Sequence, residues 1–213
     1  VMAGNFNMTN NDELFDLLVN LGQHPRDKKD TVTVLEKIGH FLDEENERLY
    51  QKFKDEGYSK KEISPLIAQH TDVEDILKKS ASDFDGGYAM AGLIGHGDAF
   101  ILRDPNGIRP AFYYSNDEVV VAASERPAIR TTFNIPFEEI REITPGSALI
   151  VRKNGEVFEK GILPKSEKLS CTFERIYFSR GTDEAIYKER KVLGRLLTEK
   201  VLKAIDFDHE NTV

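Results

Sequence analysis

An α+β fold with mainly antiparallel sheets is what this sequence predicts, and three observations predict it. Apolar residues recur at spacings of three and four from Leu14 to Leu77, the period of helices with one buried face. From Tyr88 to Ile162 the texture changes to short apolar runs separated by turn residues, the mark of strands. A last helical stripe then runs from Glu184 to Ile205. Helices followed by consecutive strands favour segregated layers over alternating βαβ units, and such a sheet needs helices on one face and a second layer on the other.

The elements follow in order. Val1 to Asn7 reads as the end of a strand. Asn10 with Glu13 has the form of a capping box ahead of Leu14, Phe15, Leu17, Leu18 and Val19, and Gly22 stops that helix. Thr31 to Asp43 predicts a second helix through Val34, Leu35, Ile38, Phe41 and Leu42. Glu44 to Gln69 is densely charged, breaks at Gly57 and Ser59, and carries a thin apolar stripe of Leu49, Phe53, Ile63, Leu66 and Ile67, as expected of a helical insertion on the outside of a domain. Asp72 to Lys79 resumes a helix. Tyr88 to Ile94 and Ala99 to Leu102 form a predicted strand pair. Ala111 to Tyr114, Glu118 to Ala122, Ser147 to Arg152 and Val157 to Ile162 are further strands, with hairpin turns at Asn116-Asp117 and Asn154-Gly155. Glu125 to Arg130 predicts a short helix. Thr172 to Phe178 reads as extended, and Phe207 to Val213 as a frayed tail.

Composition narrows the function. The chain of 213 residues has a formal net charge of -8, which repels phosphate backbones and anionic lipid, so no nucleic-acid or membrane partner is expected. No stretch approaches the roughly 20 apolar residues of a membrane span. One cysteine excludes an internal disulfide and multi-cysteine zinc sites, and fits a reducing, cytoplasmic setting. The five histidines, at 24, 40, 70, 96 and 209, share no ligand spacing, so no metal site is expected. Phosphate-loop, dinucleotide and HExxH patterns are absent from the sequence.

Chemistry concentrates at a few places. Asn5 stands where a strand runs out, where a side-chain amide can donate to a developing oxyanion or simply turn the chain. Asp30 precedes a helix and can N-cap it or bind an ammonium group. Arg103-Asp104-Pro105-Asn106-Gly107-Ile108-Arg109-Pro110 places two arginines about a rigid turn, with Asp104 expected to be held against one of them. Ser124 fits a helix cap. Cys171, with no histidine nearby in sequence, reads as a buried or half-buried lone thiol.

Gly87-Tyr88-Ala89, the arginine-aspartate-proline turn, Ala123-Ser124-Glu125, Pro145-Gly146 and Cys171-Thr172-Phe173-Glu174-Arg175-Ile176-Tyr177-Phe178-Ser179-Arg180 occur in an order that closely resembles the amidophosphoribosyltransferase family. The resemblance implies the four-layer αββα fold of N-terminal-nucleophile hydrolases, here incomplete. It implies a glutaminase in which an N-terminal cysteine attacks the glutamine amide with its own α-amine as base. Ammonia then displaces pyrophosphate from phosphoribosyl pyrophosphate on a second domain that uses Mg. By the same resemblance, positions 1–170 are the C-terminal part of the glutaminase domain, with the charged insertion at about 44–70. Positions 171–213 are a connecting strand and helix leading to the phosphoribosyltransferase domain. The implied partners are glutamine, phosphoribosyl pyrophosphate, a complementing N-terminal segment and further copies of the chain.

Residue by residue, Asn5 matches the oxyanion asparagine, with Gly4 where histidine is usual and Phe6 where glycine is usual. Asp30 matches the aspartate that binds the glutamine amino group, with Val32 replacing a glutamate. Arg103, Asp104 and Arg109 are structural residues near the site. Cys171 matches a cysteine that ligates an iron-sulfur cluster in some members. The nucleophile, the carboxylate-gripping arginine and the phosphoribosyl pyrophosphate loop have no counterpart, so the chain alone is expected to be inactive. The competing readings are a different or degenerate amidotransferase of the same fold, for which Gly4 and Phe6 speak, and a non-catalytic scaffold, for which the charged helices speak.

Overall fold

The computed structural model describes residues 1–208 and 210–211, so His209 and the last two positions of the expected tail lie outside the described residues. The first half folds as β1 (Met2–Met8), α1 (Asn11–Asn20), α2 (Asp30–Asp55), α3 (Lys60–His70) and α4 (Val73–Ala81). The second half runs β2 (Gly86–Leu93), β3 (Ala99–Arg103), β4 (Phe112–Ser115), β5 (Val120–Ala123), α5 (Arg126–Phe133), β6 (Arg141–Glu142), β7 (Ser147–Val151), β8 (Val157–Gly161) and α6 (Glu184–Ala204). Every pairing is antiparallel. One sheet has the order β1-β2-β3-β7-β8 and the other β5-β4-β6.

Strand alternation builds four layers. Tyr88, Met90, Phe100, Leu102, Ala148 and Ile150 face α1, α2 and α4, where Leu14, Val34, Ile38, Ile76 and Leu77 complete the largest core. The opposite faces of the same strands present Ala89, Ile101 and Leu149 to Ala111, Tyr113 and Ile143 of the second sheet. Phe112, Tyr114 and Val121 then point outward onto Ile129 of α5, with Ile135 and Ile140. Helices, sheet, sheet and helix are therefore stacked as expected. This is an α+β fold with two antiparallel sheets, consistent with an incomplete αββα arrangement.

The charged insertion also forms, with different limits. Helix α2 runs unbroken through Glu44 to Asp55, Gly57 reverses the chain at a φ of 92°, and Ser59 with Glu62 makes a capping box for α3. Leu49, Phe53 and Ile63 give the pair its own small core.

Four local expectations are corrected. Asn10 forms no capping box: its amide donates to the Asp83 carbonyl at 2.8 Å and its oxygen accepts from Asp85 N at 3.3 Å, pinning β1 to the α4–β2 link. Asp30 lies in the first turn of α2, with Lys29 at the cap position. Ser124 caps nothing, because Glu125 holds the cap position of α5. Thr172 to Phe178 is not extended, and among the described residues no strand forms after β8. Glu174–Phe178 make one π-helical turn, because Arg190 of α6 binds the carbonyls of Arg175 and Ser179 at 3.1 and 2.6 Å. Strand β6, only two residues long, carried no periodicity to reveal it.

Candidate functional site

The arginine-aspartate-proline turn is the best-ordered polar feature beside the two sheets. Asp104 is fully buried, and the expected ion pair is absent among the described residues. Its carboxylate instead accepts three backbone N–H groups, from Asn106 at 3.1 Å, Ile108 at 2.9 Å and Arg109 at 3.1 Å, with Tyr88 N at 3.4 Å. Folding the turn back on one carboxylate satisfies donors that no strand can pair. Arg103, 1% exposed, closes the other side by donating to the carbonyls of Arg109, Gly107 and Ile143, and by pairing with Glu142 at 2.8 Å. The Arg103 guanidinium lowers the Glu142 carboxyl against the opposing effect of burial.

Between the sheets, at the β1 and β5 edges, lies a cavity of about 680 Å³. Its floor is made of small residues, among them Ala3, Ala89, Ala91, Ala122 and Ala123, and its polar groups are Asn5, Arg109, Ser124, Glu125 and Glu174. Register decides which β1 side chain enters. Asn5 stands opposite Ala89 on the inter-sheet face, while Phe6 stands opposite Tyr88 and packs on the helix-side core. The Asn5 amide has no hydrogen bond among the described residues and is free to donate. Phe6 lies in regular strand with no positive φ, so its side chain imposes no backbone distortion there. Gly4 is sterically required, since a Cβ would come within 2.8 Å of the Ala89 carbonyl oxygen and 2.9 Å of Met90.

Arg109 reaches the cavity from the turn. Its Nη1 binds Glu174 at 2.6 Å, and its Nε is buried without a partner among the described residues. Asp30 lines neither this cavity nor the smaller one beside it. Its Oδ1 accepts from Thr31 N at 2.7 Å. The structure thus brings Asn5 and Arg109 together and leaves Asp30 apart. Glu174 and Phe178 were legible only as part of a motif, because nothing local shows that their segment folds back to wall the cavity. Glu125 was in view only as a helix start.

Cys171 is free and half-buried. It lines a second cavity of about 290 Å³ beneath residues 170–186. An iron-sulfur cluster needs several thiolates, of which Cys171 is the one these residues supply. Among the described residues no three His, Cys, Asp or Glu side chains gather as metal ligands, and no helix is long and apolar enough to cross a membrane.

No family-wide sequence profile matches the chain. Individual proteins do. The amidophosphoribosyltransferase of Pasteurella multocida is 30% identical over 212 residues, covering 95% of this chain and 38% of that enzyme. This chain is similar to the amidophosphoribosyltransferases. Those of Haemophilus influenzae and Escherichia coli are 31% and 32% identical over 153 and 128 residues. The likeness is partial, since the chain spans 38%, 30% and 25% of the length of these three enzymes. Among solved structures, the glutamine phosphoribosylpyrophosphate amidotransferase of B. subtilis, complexed with ADP and GMP, superposes with a TM-score of 0.59 at 25% identity over 84% of this chain and 32% of that one. A structure described as the allosteric regulatory enzyme of purine biosynthesis gives 0.57 at 25% identity. Sequence and fold therefore agree on one likeness, to the amidophosphoribosyltransferases.

Proposed function

We propose that this chain is the C-terminal part of the glutaminase half of a cytoplasmic, glutamine-dependent amidophosphoribosyltransferase, with residues 171–213 leading toward its phosphoribosyltransferase half. In that reading the complete protein releases ammonia from glutamine and uses it to displace pyrophosphate from phosphoribosyl pyrophosphate, forming phosphoribosylamine for purine synthesis. One observation carries the reading beyond overall similarity: the amide of Asn5, without a hydrogen bond among the described residues, faces the inter-sheet cavity and is free to serve as an oxyanion donor.

The chemistry assigned to this chain is limited. Asn5 donates to the glutamine amide oxygen as it gains charge when a thiolate attacks. Asp30, which lies outside the lining of this cavity, is assigned to the substrate ammonium by the resemblance alone. The nucleophile and its amine base come from a complementing N-terminal segment, so the isolated chain hydrolyses no glutamine. Strand β1 supports such complementation. It ends the five-stranded sheet, and among the described residues no strand pairs with its outer side.

Steady-state kinetics of the complete protein with glutamine, and separately with ammonium, test the assignment. Asn5→Ala is expected to lower kcat for glutamine about 100- to 1000-fold with little change in KM, because the hydrogen bond forms only in the transition state. Asp30→Ala is expected mainly to raise KM, since the ammonium charge is the same before and after attack. Ammonium-dependent activity survives in both. Unchanged glutamine kinetics in Asn5→Ala would place the oxyanion site elsewhere, and equal loss with both donors would reveal a folding defect.

A further inference from the structure

We infer that residues 168–183 form a salt-labile strap whose release opens the inter-sheet cavity. The inference holds whatever ligand the cavity takes. The strap is fastened to the two-sheet body by ion pairs at four points and by a backbone hydrogen bond from Leu169 N to the Asn106 carbonyl at 2.9 Å. Lys168 Nζ meets Glu142 at 3.1 Å, Arg109 meets Glu174 at 2.6 Å, Arg180 meets Glu125 at 3.2 Å, and Arg126 meets Asp183 at 2.7 Å. Apolar burial contributes little. No residue from 168 to 182 is buried, and Phe173 and Tyr177 are 71% and 77% exposed. Beneath the strap is the smaller cavity, lined in part by Arg103, Arg126, Cys171 and Arg175, so the segment spans a void instead of packing into a core.

Two strap residues, Glu174 and Phe178, wall the cavity that Asn5 also lines. The strap is also joined to α6: Arg175 pairs with Glu189, and Arg190 donates to the carbonyl of Ser179. Strap and helix therefore move together. Lys168–Glu142 and Arg180–Glu125 are exposed pairs, weak per contact and screened by salt, while Glu174 and Asp183, with side chains 12% and 7% exposed, hold more firmly. The strands beneath rest on backbone ladders and apolar contacts that salt does not screen. The strap can release while the sheets stay folded, and its departure removes one wall of the cavity.

Hydrogen exchange of the chain, read by mass spectrometry, tests this. Raising salt from about 0.1 M to about 1 M shortens the Debye length from about 10 Å to about 3 Å. Exchange of the amides from 172 to 183 is expected to rise about tenfold or more, with those of β2 and β3 unchanged. The double substitution Glu174→Gln/Arg180→Gln is expected to give fast strap exchange already at low salt. In a Cys171→Ser background, thiol labelling of Ala111→Cys, buried in the cavity wall, is expected to accelerate with salt in parallel. Strap exchange that ignores both salt and the double substitution overturns the inference. So does strap exchange that rises only together with β2 and β3, which would make the strap part of the cooperative core.

Discussion

Replacing Asp104 with alanine tests the framework beneath the candidate site. The carboxylate is fully buried and holds three backbone donors within 3.1 Å, so the substitution leaves three N–H groups facing a hole. Each buried donor left unpaired costs about 1–3 kcal/mol, and donors from the half-buried residues Asn106, Ile108 and Arg109 recover part of this by admitting water. A net loss of about 3–4 kcal/mol follows, a large share of the roughly 5–15 kcal/mol that stabilises a typical domain. For a chain of this length that lowers the Tm by about 10 °C. Asp104→Asn is expected to fare little better. Oδ1 faces Asn106 and Ile108 while Oδ2 faces Arg109 and Tyr88, so either orientation of the amide turns its NH₂ toward N–H donors. Thermal melts followed by circular dichroism read both variants. An Asp104→Ala melt within about 1 °C of wild type, or an asparagine variant as stable as wild type, refutes the reasoning.

Two more outcomes follow from groups away from the cavity. The Lys37 ammonium, buried on α2, lies 2.7 Å from Asp83 and holds that carboxyl below the usual carboxylate range against partial desolvation. A depressed folded pKa stabilises above the unfolded value and is lost as pH falls through the folded one. Asp83→Asn is therefore expected to be less stable than wild type at pH 7, with the gap between their urea midpoints closing below about pH 4. On α6, Leu196 and Leu197 are 69% and 55% exposed, so Leu196→Lys with Leu197→Lys is expected to shift the urea-unfolding stability of this chain by less than about 0.5 kcal/mol. A drop of several times that would show the stripe to be packed.

Much of the fold was legible because it is set locally. The periods of three and four placed α1, α2 and α4. Glycines that tolerate positive φ placed the turns at Gly22, Gly57, Gly107 and Gly155, with φ of 81°, 92°, 61° and 90°. The order of helices followed by consecutive strands already implied a sheet with helices on one face and a second layer on the other. The run from Cys171 to Arg180, with the arginine-aspartate-proline turn, pointed to the relatives that the chain resembles. Residues such as Asn5 and Arg109 could be picked out by type.

Tertiary structure decided what those residues do, because each role depends on a partner distant in sequence. Asn10 looked like a helix cap and instead bonds across 73 positions to Asp83. Thr172 to Phe178 has the composition of a strand, yet Arg190 and Arg109 draw it into a π-helical turn against the body. Asp104 carries a charge that suggests an arginine partner, but the tight turn brings backbone donors to it first. Asn5 and Phe6 are neighbours in sequence, and only the pairing of β1 with β2 sends one into the inter-sheet cavity and the other into the core. Local periodicity fixes which elements form, since it depends on residues a turn or a strand apart. The cavity and its strap depend on ion pairs and registers that join segments up to 90 residues apart, and no local pattern encodes them.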